Sequence, residues 1–373
     1  MTVNTVPVSA GQALGVLRAG WAAQRAGAMT LSWMLHGRPG VGKTDIVRQL
    51  AAETGARLFD LRLTTIEPQD LRGLPYYDHA TRRTLWYRPE DLPDDPAAPA
   101  LLFLDELTAA APHLHPAVYG LLQERRVGPH TLPPSVFVVA AGNGAEDGAV
   151  AYEMGTALAD RLVHLRVEAS AQDWLDNFAV PNGLHPAITA FLRIRPDLLE
   201  TIPQALDRGH VIACTPRSWH RAAQILAAVP DRTAARVMLA GTLGDAVAAE
   251  FQMIADDIAA TVDAGRLLAA TGRERAVLYP ASMHGLHALI HALVGGLGPD
   301  NAAASIAAMA DIRQLDRLRP DAPAFARMPL AELATHGFEM LIRQGLAKGL
   351  ADTFLDHPAY AAYAAERRAM GLE

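Results

Sequence analysis

The sequence predicts an α/β fold in its first half, with a parallel sheet flanked by helices, and an all-helical second half. Two observations lead to this prediction. Short apolar runs alternate with helical or loop sequence up to about Ser170, which is typical of parallel strands joined by crossover helices. Beyond that point the strand-like runs stop, and Ala, Leu and Arg recur at helical spacing between scattered prolines.

The first half begins with a predicted helix and continues with five predicted strands. Ser9 and Gln12 form a capping-box pattern, so we expect a helix from there to about Ala26. Each predicted strand is a short apolar run, as expected for strands that are buried on both faces. The strands are predicted at 31–36, 57–63, 100–104, 136–141 and 163–167. A helix is predicted over 45–54, directly after a glycine-rich loop.

The composition is that of a folded, acidic protein. The chain has 373 residues, of which 50% are hydrophobic and 20% charged, so we expect two or three domains with their own cores. Lys and Arg number 33 against 40 Asp and Glu, a net charge of −7. This balance excludes a general basic field that would hold a polyanion, so we expect no nucleic acid partner.

The cysteine count and the apolar stretches indicate the compartment. The single cysteine, Cys214, excludes an internal disulfide, and we expect it to be a small buried residue rather than a nucleophile. The first thirty residues lack a basic start followed by an apolar core, and the apolar stretches are interrupted before ~18 residues. We therefore expect a cytoplasmic protein that does not insert into a membrane.

The segment 37–44, with the sequence GRPGVGKT, has the spacing of a phosphate-binding loop between a predicted strand and a predicted helix. Its glycines allow a tight turn in which backbone N–H groups and the helix N-terminus face phosphate oxygens. Lys43 adds a positive charge at the β- and γ-phosphates, and Thr44 offers a hydroxyl to Mg²⁺. We expect a nucleotide to be held by Gly37, Pro39, Gly40, Val41, Gly42, Lys43 and Thr44.

Polar side chains also follow two later strands. Asp105 and Glu106 come directly after the apolar run LLFL, at the end of a strand where α/β sheets bind ligands. We expect Asp105 to hold the nucleotide-bound Mg²⁺ through water, and Glu106 to take the proton of the attacking water. Asn143 ends the next strand and is a candidate to orient that water. The alternatives are a helix-capping role for Asp105 and a turn role for Asn143.

The order of these motifs resembles that of the AAA+ ATPases. After the phosphate loop, the acidic pair and the Asn-ended strand come the segments 158–161 (LADR) and 215–218 (TPRS). Within this family the chain looks most like the MoxR group. The closer signatures are at 70–75 (DLRGLP), 123–125 (QER) and 215–219 (TPRSW), and the resemblance covers about 30–260.

The resemblance implies roles for three polar side chains. Asn143 is implied as the first sensor, Arg217 as the second sensor in a helical lid, and Arg161 as the arginine finger. A finger guanidinium stabilises charge on the γ-phosphoryl group of the neighbouring subunit, so hydrolysis is implied to need an oligomer. The alternatives are an ion pair or helix-end contact for Arg161 and a helix cap for Arg217, and the rival fingers are Arg125 and Arg126.

Two predicted hairpins are candidates to contact a client protein. The first, at about 73–88, holds four aromatic residues in sixteen positions against 6% in the whole chain, around a polar tip at 78–83. The second, at about 127–134, precedes the first-sensor strand. In the MoxR group an insert at the first location faces the central pore of the ring, which implies that the tip acts on a client. Packing on its own subunit is the alternative for the aromatic residues.

The resemblance therefore implies a Mg²⁺-dependent ATPase that remodels or activates a partner protein, with ATP and Mg²⁺ as cofactors. The implied domains are a nucleotide-binding domain at 1–169, a helical lid at 170–260 and a helical C-terminal extension at 261–373. The implied partners are further copies of the chain in a ring, as a hexamer, a separate von Willebrand factor A domain protein, and a client protein. The alternatives are a nucleotide-gated scaffold or switch with slow hydrolysis, and a GTP-using or DNA-directed motor subunit.

Three histidines, His284, His287 and His291, share one face of a predicted helix at a spacing that suits a metal ion. Because no carboxylate or cysteine ligand stands near them in the sequence, we expect structural histidines.

Overall fold

The computed structural model describes residues 3–144, 155 and 159–369, and the chain divides into two compact units. The first unit consists of Met1–Ser170, Ile202–Gly209 and Thr215–Arg217. The second consists of Ala171–Thr201, His210–Cys214 and Ser218–Glu373. The domain boundaries expected at 169/170 and 260/261 stay predictions.

The first unit is built on a parallel sheet of six strands in the order β1–β10–β2–β9–β6–β3, which confirms the predicted α/β fold. All five predicted strands are present, each within one residue of its expected ends. A sixth strand, β1, is only two residues long, too short to stand out as an apolar run. The strands of the described chain are β1 (Pro7–Val8), β2 (Ser32–His36), β3 (Arg57–Arg62), β4 (Pro75–Asp78), β5 (Arg83–Trp86), β6 (Ala100–Asp105), β7 (Arg126–Val127), β8 (His130–Thr131), β9 (Val136–Gly142) and β10 (Leu162–Val167).

Apolar side chains cover the sheet on both faces. One face carries Trp33, Phe103 and Val139, which belong to one core with the helices Ala10–Arg25 and Lys43–Thr54. The other face carries side chains such as Leu102 and Val138 in a second core. Burial on both faces explains why the central strands are continuous apolar runs rather than alternating ones.

The helices before β10 are short except for the first two. The first begins at the predicted capping box, in which the Gln12 N–H donates to Ser9 Oγ (3.2 Å) and the Ser9 N–H to Gln12 Oε1 (2.9 Å). The fourth continues as one wider turn, Gly120–Glu124. These helices are α1 (Ala10–Arg25), α2 (Lys43–Thr54), α3 (Pro68–Arg72) and α4 (His115–Tyr119).

Two small antiparallel hairpins stand outside the sheet of the first unit. β4 pairs with β5, and at its base the Tyr76 and Tyr87 rings stack with centroids 4.5 Å apart, while the Arg72 guanidinium lies 4.2 Å from the Trp86 ring centre. Tyr77 is 72% exposed. β7 pairs with β8 just before β9. Most aromatic residues of the first hairpin are therefore engaged within the same chain, whereas Tyr77 is open to solvent.

No strand follows β10 among the described residues, which confirms the helical second half. In the second unit, Phe191 packs against Trp219 and Phe251, each with ring centroids 5.5 Å away. The helices are α5 (Ala171–Trp174), α6 (Pro186–Ile194), α7 (Ile202–Asp207), α8 (Pro216–Ala228), α9 (Arg232–Leu243), α10 (Asp245–Thr261), α11 (Ala264–Ala269), α12 (Gly272–Ala276), α13 (Met283–Gly295), α14 (Ala302–Ile312), α15 (Leu315–Leu318), α16 (Leu330–Ala347), α17 (Ala351–Leu355) and α18 (Pro358–Ala369). In the ranges that the structure describes, none of these helices is both long and apolar enough to cross a lipid bilayer.

Candidate nucleotide site

The loop between β2 and α2 has the backbone geometry of a phosphate cradle. Gly40 and Gly42 have φ values of +79° and +107°, which residues with a side chain rarely adopt. A Cβ on Gly37 would lie 2.5 Å from the Val167 carbonyl oxygen, so that position has no room for a side chain. The Lys43 Nζ atom donates to the Gly37 carbonyl at 2.6 Å, which places its charge inside the curve of the loop.

Three neighbouring strands bring polar side chains to this loop. In the sheet, β9 lies between β2 and β6, so the residues that follow β2, β9 and β6 meet at one edge. The Lys43 Nζ atom donates to Asn143 Oδ1 at 2.8 Å, and the Thr44 hydroxyl donates to Asp105 Oδ2 at 3.2 Å. The structure therefore brings four of the predicted site residues within hydrogen-bonding distance in pairs.

Asp105 is almost fully buried at the end of β6, with 7% of its surface exposed. Burial raises the pKa of its carboxyl group, while the Glu106 N–H and the Thr44 hydroxyl, both donating to it, act in the opposite direction. A bound cation would favour the charged carboxylate. A hydroxyl and a carboxylate are the hard oxygen donors that Mg²⁺ prefers, so these two residues fit that ion.

Glu106 leaves the strand in a left-handed conformation, with φ +59°. Such a conformation is uncommon for a residue with a side chain, and it is typical of functional sites. The carboxylate of Glu106 accepts a hydrogen bond from the Thr64 hydroxyl and lies 3.8 Å from Arg62 Nε. Both partners lie at the end of β3, the neighbour of β6, and sequence reasoning identified neither of them.

Thr108 fixes the backbone of Asn143. The Asn143 N–H donates to Thr108 Oγ1 at 3.0 Å, and the Thr108 hydroxyl donates to the Asn143 carbonyl at 2.9 Å. A Cβ on the preceding Gly142 would lie 2.6 Å from the Thr108 side chain. Thr108 was also missed from the sequence, because its partner is 35 residues away and only the strand order brings them together.

The segment Thr215–Arg217, which belongs to the first unit, packs on the phosphate loop. The Arg217 N–H donates to the Gly40 carbonyl at 3.3 Å. A Cβ on Gly40 would lie 2.8 Å from Thr215 Oγ1, so the close approach requires glycine there. The start of α8 thus lies against the loop, and the sensor role of Arg217 stays a prediction.

Arg161 lies at the end of the sheet where β10 and β2 begin, opposite the end that carries the phosphate loop. Leu162, the first residue of β10, pairs with Ser32, the first residue of β2, and the phosphate loop begins only after β2 ends. At ~3.3 Å per residue, the turn that carries Arg161 is roughly 15 Å from the loop of its own chain. Arg161 is exposed and borders a cavity of about 350 Å³ together with Leu122. Leu158 of the predicted LADR motif is outside the described residues.

The two rival arginines make contacts within the hairpin region. Arg125 has φ +54°, and its Nη2 atom donates to the Pro133 carbonyl at 3.2 Å and to the Val136 carbonyl. Arg126 Nε donates to the Gly128 carbonyl at 2.7 Å. The Arg125 bonds therefore join the end of the α4 region to the start of β9, whereas the Arg126 bond lies within the β7–β8 hairpin.

Three side chains that the sequence analysis set apart from the site lie elsewhere in the chain. Cys214 is fully buried, and burial raises the pKa of its thiol to about 11, which disfavours the nucleophilic thiolate. His284 pairs with Asp257 at 2.5 Å. His291 is one of the buried residues of α13.

Comparison with known proteins identifies relatives of the region that contains the phosphate loop. Residues 32–164 match the family model described as ATPase family associated with various cellular activities (AAA). The protein named ATPase family gene 2 protein homolog B is 37% identical over 102 residues in both Mus musculus and Bos taurus, which is 27% of this chain and 11% of that protein. The chain thus matches about a tenth of the length of these curated relatives.

Among solved structures, a RuvB variant from Thermotoga maritima is 15% identical, with a TM-score of 0.35, over 69% of this chain and 73% of that one. A likeness of this size adds nothing to the topology described above. The family match covers all the strand ends that form the site. Residues 32–164 are therefore similar to a P-loop ATPase domain of the AAA kind, which supports an enzyme that hydrolyses ATP.

Proposed function

We propose that the chain is a Mg²⁺-dependent ATPase of the MoxR type that remodels or activates a partner protein from within an oligomeric ring. One observation carries the ATPase part of the proposal: Lys43 meets Asn143, and Thr44 meets Asp105, at one edge of three adjacent strands. The three MoxR-like signatures in the sequence support the narrower assignment.

Each residue at this edge has a separate role in the proposed hydrolysis. Lys43, which contacts a loop carbonyl here, would bind the β- and γ-phosphates of a nucleotide. Thr44, and Asp105 through water, would hold a magnesium ion, which would neutralise phosphate charge. Glu106 accepts the proton of the attacking water, and the Asn143 amide orients that water. Asn143 suits this task because Thr108 holds its backbone on both sides.

The position of Arg161 supports an oligomer. Its turn lies roughly 15 Å along β2 from the phosphate loop of the same chain, farther than an arginine side chain reaches. An exposed guanidinium at this edge is placed to serve a second copy instead, where it stabilises charge on the γ-phosphoryl group. The proposed assembly is a ring, with six copies as the family resemblance implies.

The first hairpin supports the part of the proposal that concerns a client. The tip 78–83 projects beyond the stacked Tyr76 and Tyr87, and Tyr77 beside it is 72% exposed. We assign the tip, rather than the stacked rings, to contact with a client. Activation through a von Willebrand factor A domain protein in the cytoplasm completes the proposal, with that domain supplied by a separate chain.

The substitution Glu106→Gln tests the catalytic assignment. It keeps the shape of the side chain but removes its ability to accept a proton, so we expect ATP to bind with the wild-type Kd while turnover falls at least about 100-fold. Fluorescent-nucleotide binding and phosphate release measure the two quantities. Lys43→Ala is expected to lose binding itself, and Glu274→Gln on exposed α12 is the matched control. Unchanged hydrolysis in Glu106→Gln would contradict the assignment.

A further inference from the structure

Two histidines on neighbouring strands link the phosphate loop to the turn that carries Arg161. His36 ends β2 directly before the loop, and His164 lies on β10, the next strand in the sheet. The His36 Nε2 and His164 Nδ1 atoms are 2.8 Å apart, and the two rings stack with their centroids 5.0 Å apart. The second ring nitrogen of His164, Nε2, lies 2.8 Å from the Ala159 carbonyl oxygen.

The Ala159 carbonyl sets the direction of these hydrogen bonds. A carbonyl oxygen only accepts, so His164 Nε2 carries a proton and donates to it. In a neutral imidazole the other nitrogen then accepts, so His36 Nε2 donates to His164 Nδ1. Burial, together with the nearby His164 and Lys43, lowers the pKa of His36 to about 4, which keeps this ring neutral near pH 7. The donors therefore point in one direction, from the phosphate loop toward Ala159.

The turn at Arg161 depends on its two flanks for its shape. The side chain of Arg161 is exposed, and the backbone of its turn sets the point from which the guanidinium extends toward a second copy. On the C-terminal flank, Leu162 is only 8% exposed and anchors the start of β10. On the N-terminal flank, the His164 ring holds the carbonyl of Ala159, two residues before Arg161.

The two imidazoles also connect the end of β2, next to the phosphate loop, to the turn that precedes β10. One end of the pair is covalently continuous with Gly37 of the phosphate loop, and the other end holds the backbone beside the finger turn. Both rings lie on the same face of the sheet, since His36 pairs in register with Arg166, two residues beyond His164. Two hydrogen bonds and a stacked ring pair therefore form a continuous connection between the end of β2 at the loop and the finger turn.

We propose that His164, oriented by His36, is a positioning residue for Arg161. Its hydrogen bond to the Ala159 carbonyl holds the turn so that the guanidinium meets the nucleotide of a second copy. The inference rests on the proposed function, because the turn matters for turnover only when Arg161 acts as a finger. In an assembly, the pair connects the nucleotide site of one copy to the finger that serves the next.

Two substitutions of His164 test its two hydrogen bonds one at a time, because each keeps a polar atom at the position of only one ring nitrogen. In His164→Gln, the amide nitrogen takes the place of Nε2 and still donates to Ala159. In His164→Asn, the amide oxygen takes the place of Nδ1, and the bond to Ala159 is lost. We expect kcat to fall about 10- to 100-fold in the Asn variant and to stay within about twofold of wild type in the Gln variant, because misplacement of a catalytic group costs factors of this size.

The remaining readouts separate positioning from a merely structural role. The nucleotide Kd is expected to be the same in the Asn and Gln variants, and His210→Ala, on an exposed histidine, is the control. In an Arg161→Ala background, the Asn substitution is expected to have no further effect on kcat, since the group that it positions is gone. An additional loss in that background, or equal losses in Asn and Gln, would overturn the proposal.

Arg161→Ala alone distinguishes this inference from the function on which it rests. A loss of at least about 100-fold in kcat is expected for a finger. A kcat unchanged by Arg161→Ala would overturn the finger assignment and the positioning role together. A large loss in Arg161→Ala with wild-type kcat in His164→Asn would overturn the positioning role alone.

Discussion

At the scale of single residues, the carboxylate of Glu106, the proposed general base, is bound by side chains at the end of β3. Glu106 leaves its strand with φ +59°, and its carboxylate is bound by the Thr64 hydroxyl with Arg62 3.8 Å away. Arg62 is the last residue of β3 and Thr64 lies two residues beyond it, whereas Lys43 and Asp105 belong to the hydrogen-bonded pairs at the loop. In the proposed mechanism, the Thr64 hydroxyl competes with the attacking water for the Glu106 carboxylate.

Substitution of Thr64 tests this restraint. Thr64→Val keeps the shape of the side chain and removes the hydroxyl, so we expect basal ATPase activity to rise roughly threefold to tenfold, in line with the net contribution of about 0.5–1.5 kcal/mol that a typical hydrogen bond makes. Phosphate release without any partner protein measures the change. Thr65→Val is the matched control, because the Thr65 hydroxyl donates to the Arg62 carbonyl instead. A fall in basal activity would show that Thr64 supports Glu106 rather than restrains it.

The residues of the site divide into those that the sequence could predict and those that it could not. Lys43, Thr44, Asp105 and Asn143 were predictable because each stands directly beside a strand or in a motif of fixed spacing. The contact of Thr64 with Glu106 spans 42 residues, and that of His36 with His164 spans 128. Such contacts depend on which strands are neighbours, which local patterns do not encode.

At the scale of elements, the helices of the second unit enclose a group of histidines beside an arginine. His287 and His291 of α13 and His336 of α16 lie near Arg193, which is itself paired with Asp176 at 2.6 Å. Neither ring nitrogen of His291 has a hydrogen-bond partner among the described residues, and its side chain is 3% exposed. Burial is the main cause that lowers the pKa of all three histidines, that of His287 to about 4.

We expect this group to make the helical unit sensitive to acid. Between about pH 6.5 and 4 the unfolded chain binds protons at these histidines and the folded chain does not, so stability falls as pH falls. His291→Leu removes a buried polar ring, so we expect it to raise the thermal midpoint at pH 7 and to reduce the loss between pH 7 and pH 5. Scanning calorimetry at the two pH values measures both effects.

The control for this prediction is another histidine of the same helix. His284→Asn keeps a polar side chain at a position that pairs with Asp257 near the surface. We expect its thermal midpoint to show the same pH dependence as the wild type. A His291→Leu variant that loses as much stability on acidification as His284→Asn would mean that the buried ring does not cause the acid sensitivity.

The elements themselves were predictable to different degrees. The capping box at Ser9 and the five apolar runs located α1 and the main strands within about one residue, because both signals are local. β1 was missed because its two residues, Pro7 and Val8, join the sheet only through the edge of β10. Helix α4 continues directly into the wider turn Gly120–Glu124, and no pattern in the sequence predicts that change of helix type.

At the scale of the whole molecule, the proposed nucleotide site and the proposed arginine finger lie at opposite ends of the strands of one sheet. The loop, the acidic pair and Asn143 gather where the parallel strands end, whereas Arg161 stands where β10 begins. One chain therefore presents a nucleotide site at one edge and a cation at the other. We propose that two copies of the chain complete one catalytic site.

Mixing two inactive variants tests this claim most directly. Lys43→Ala chains keep the finger but lose the nucleotide site, and Arg161→Ala chains keep the site but lose the finger. Each alone is expected to hydrolyse little ATP, whereas an equal mixture assembled at random is expected to recover about a quarter of wild-type activity, since one interface in four joins an intact site to an intact finger. Phosphate release by the mixture no greater than the mean of the two separate variants would contradict the account.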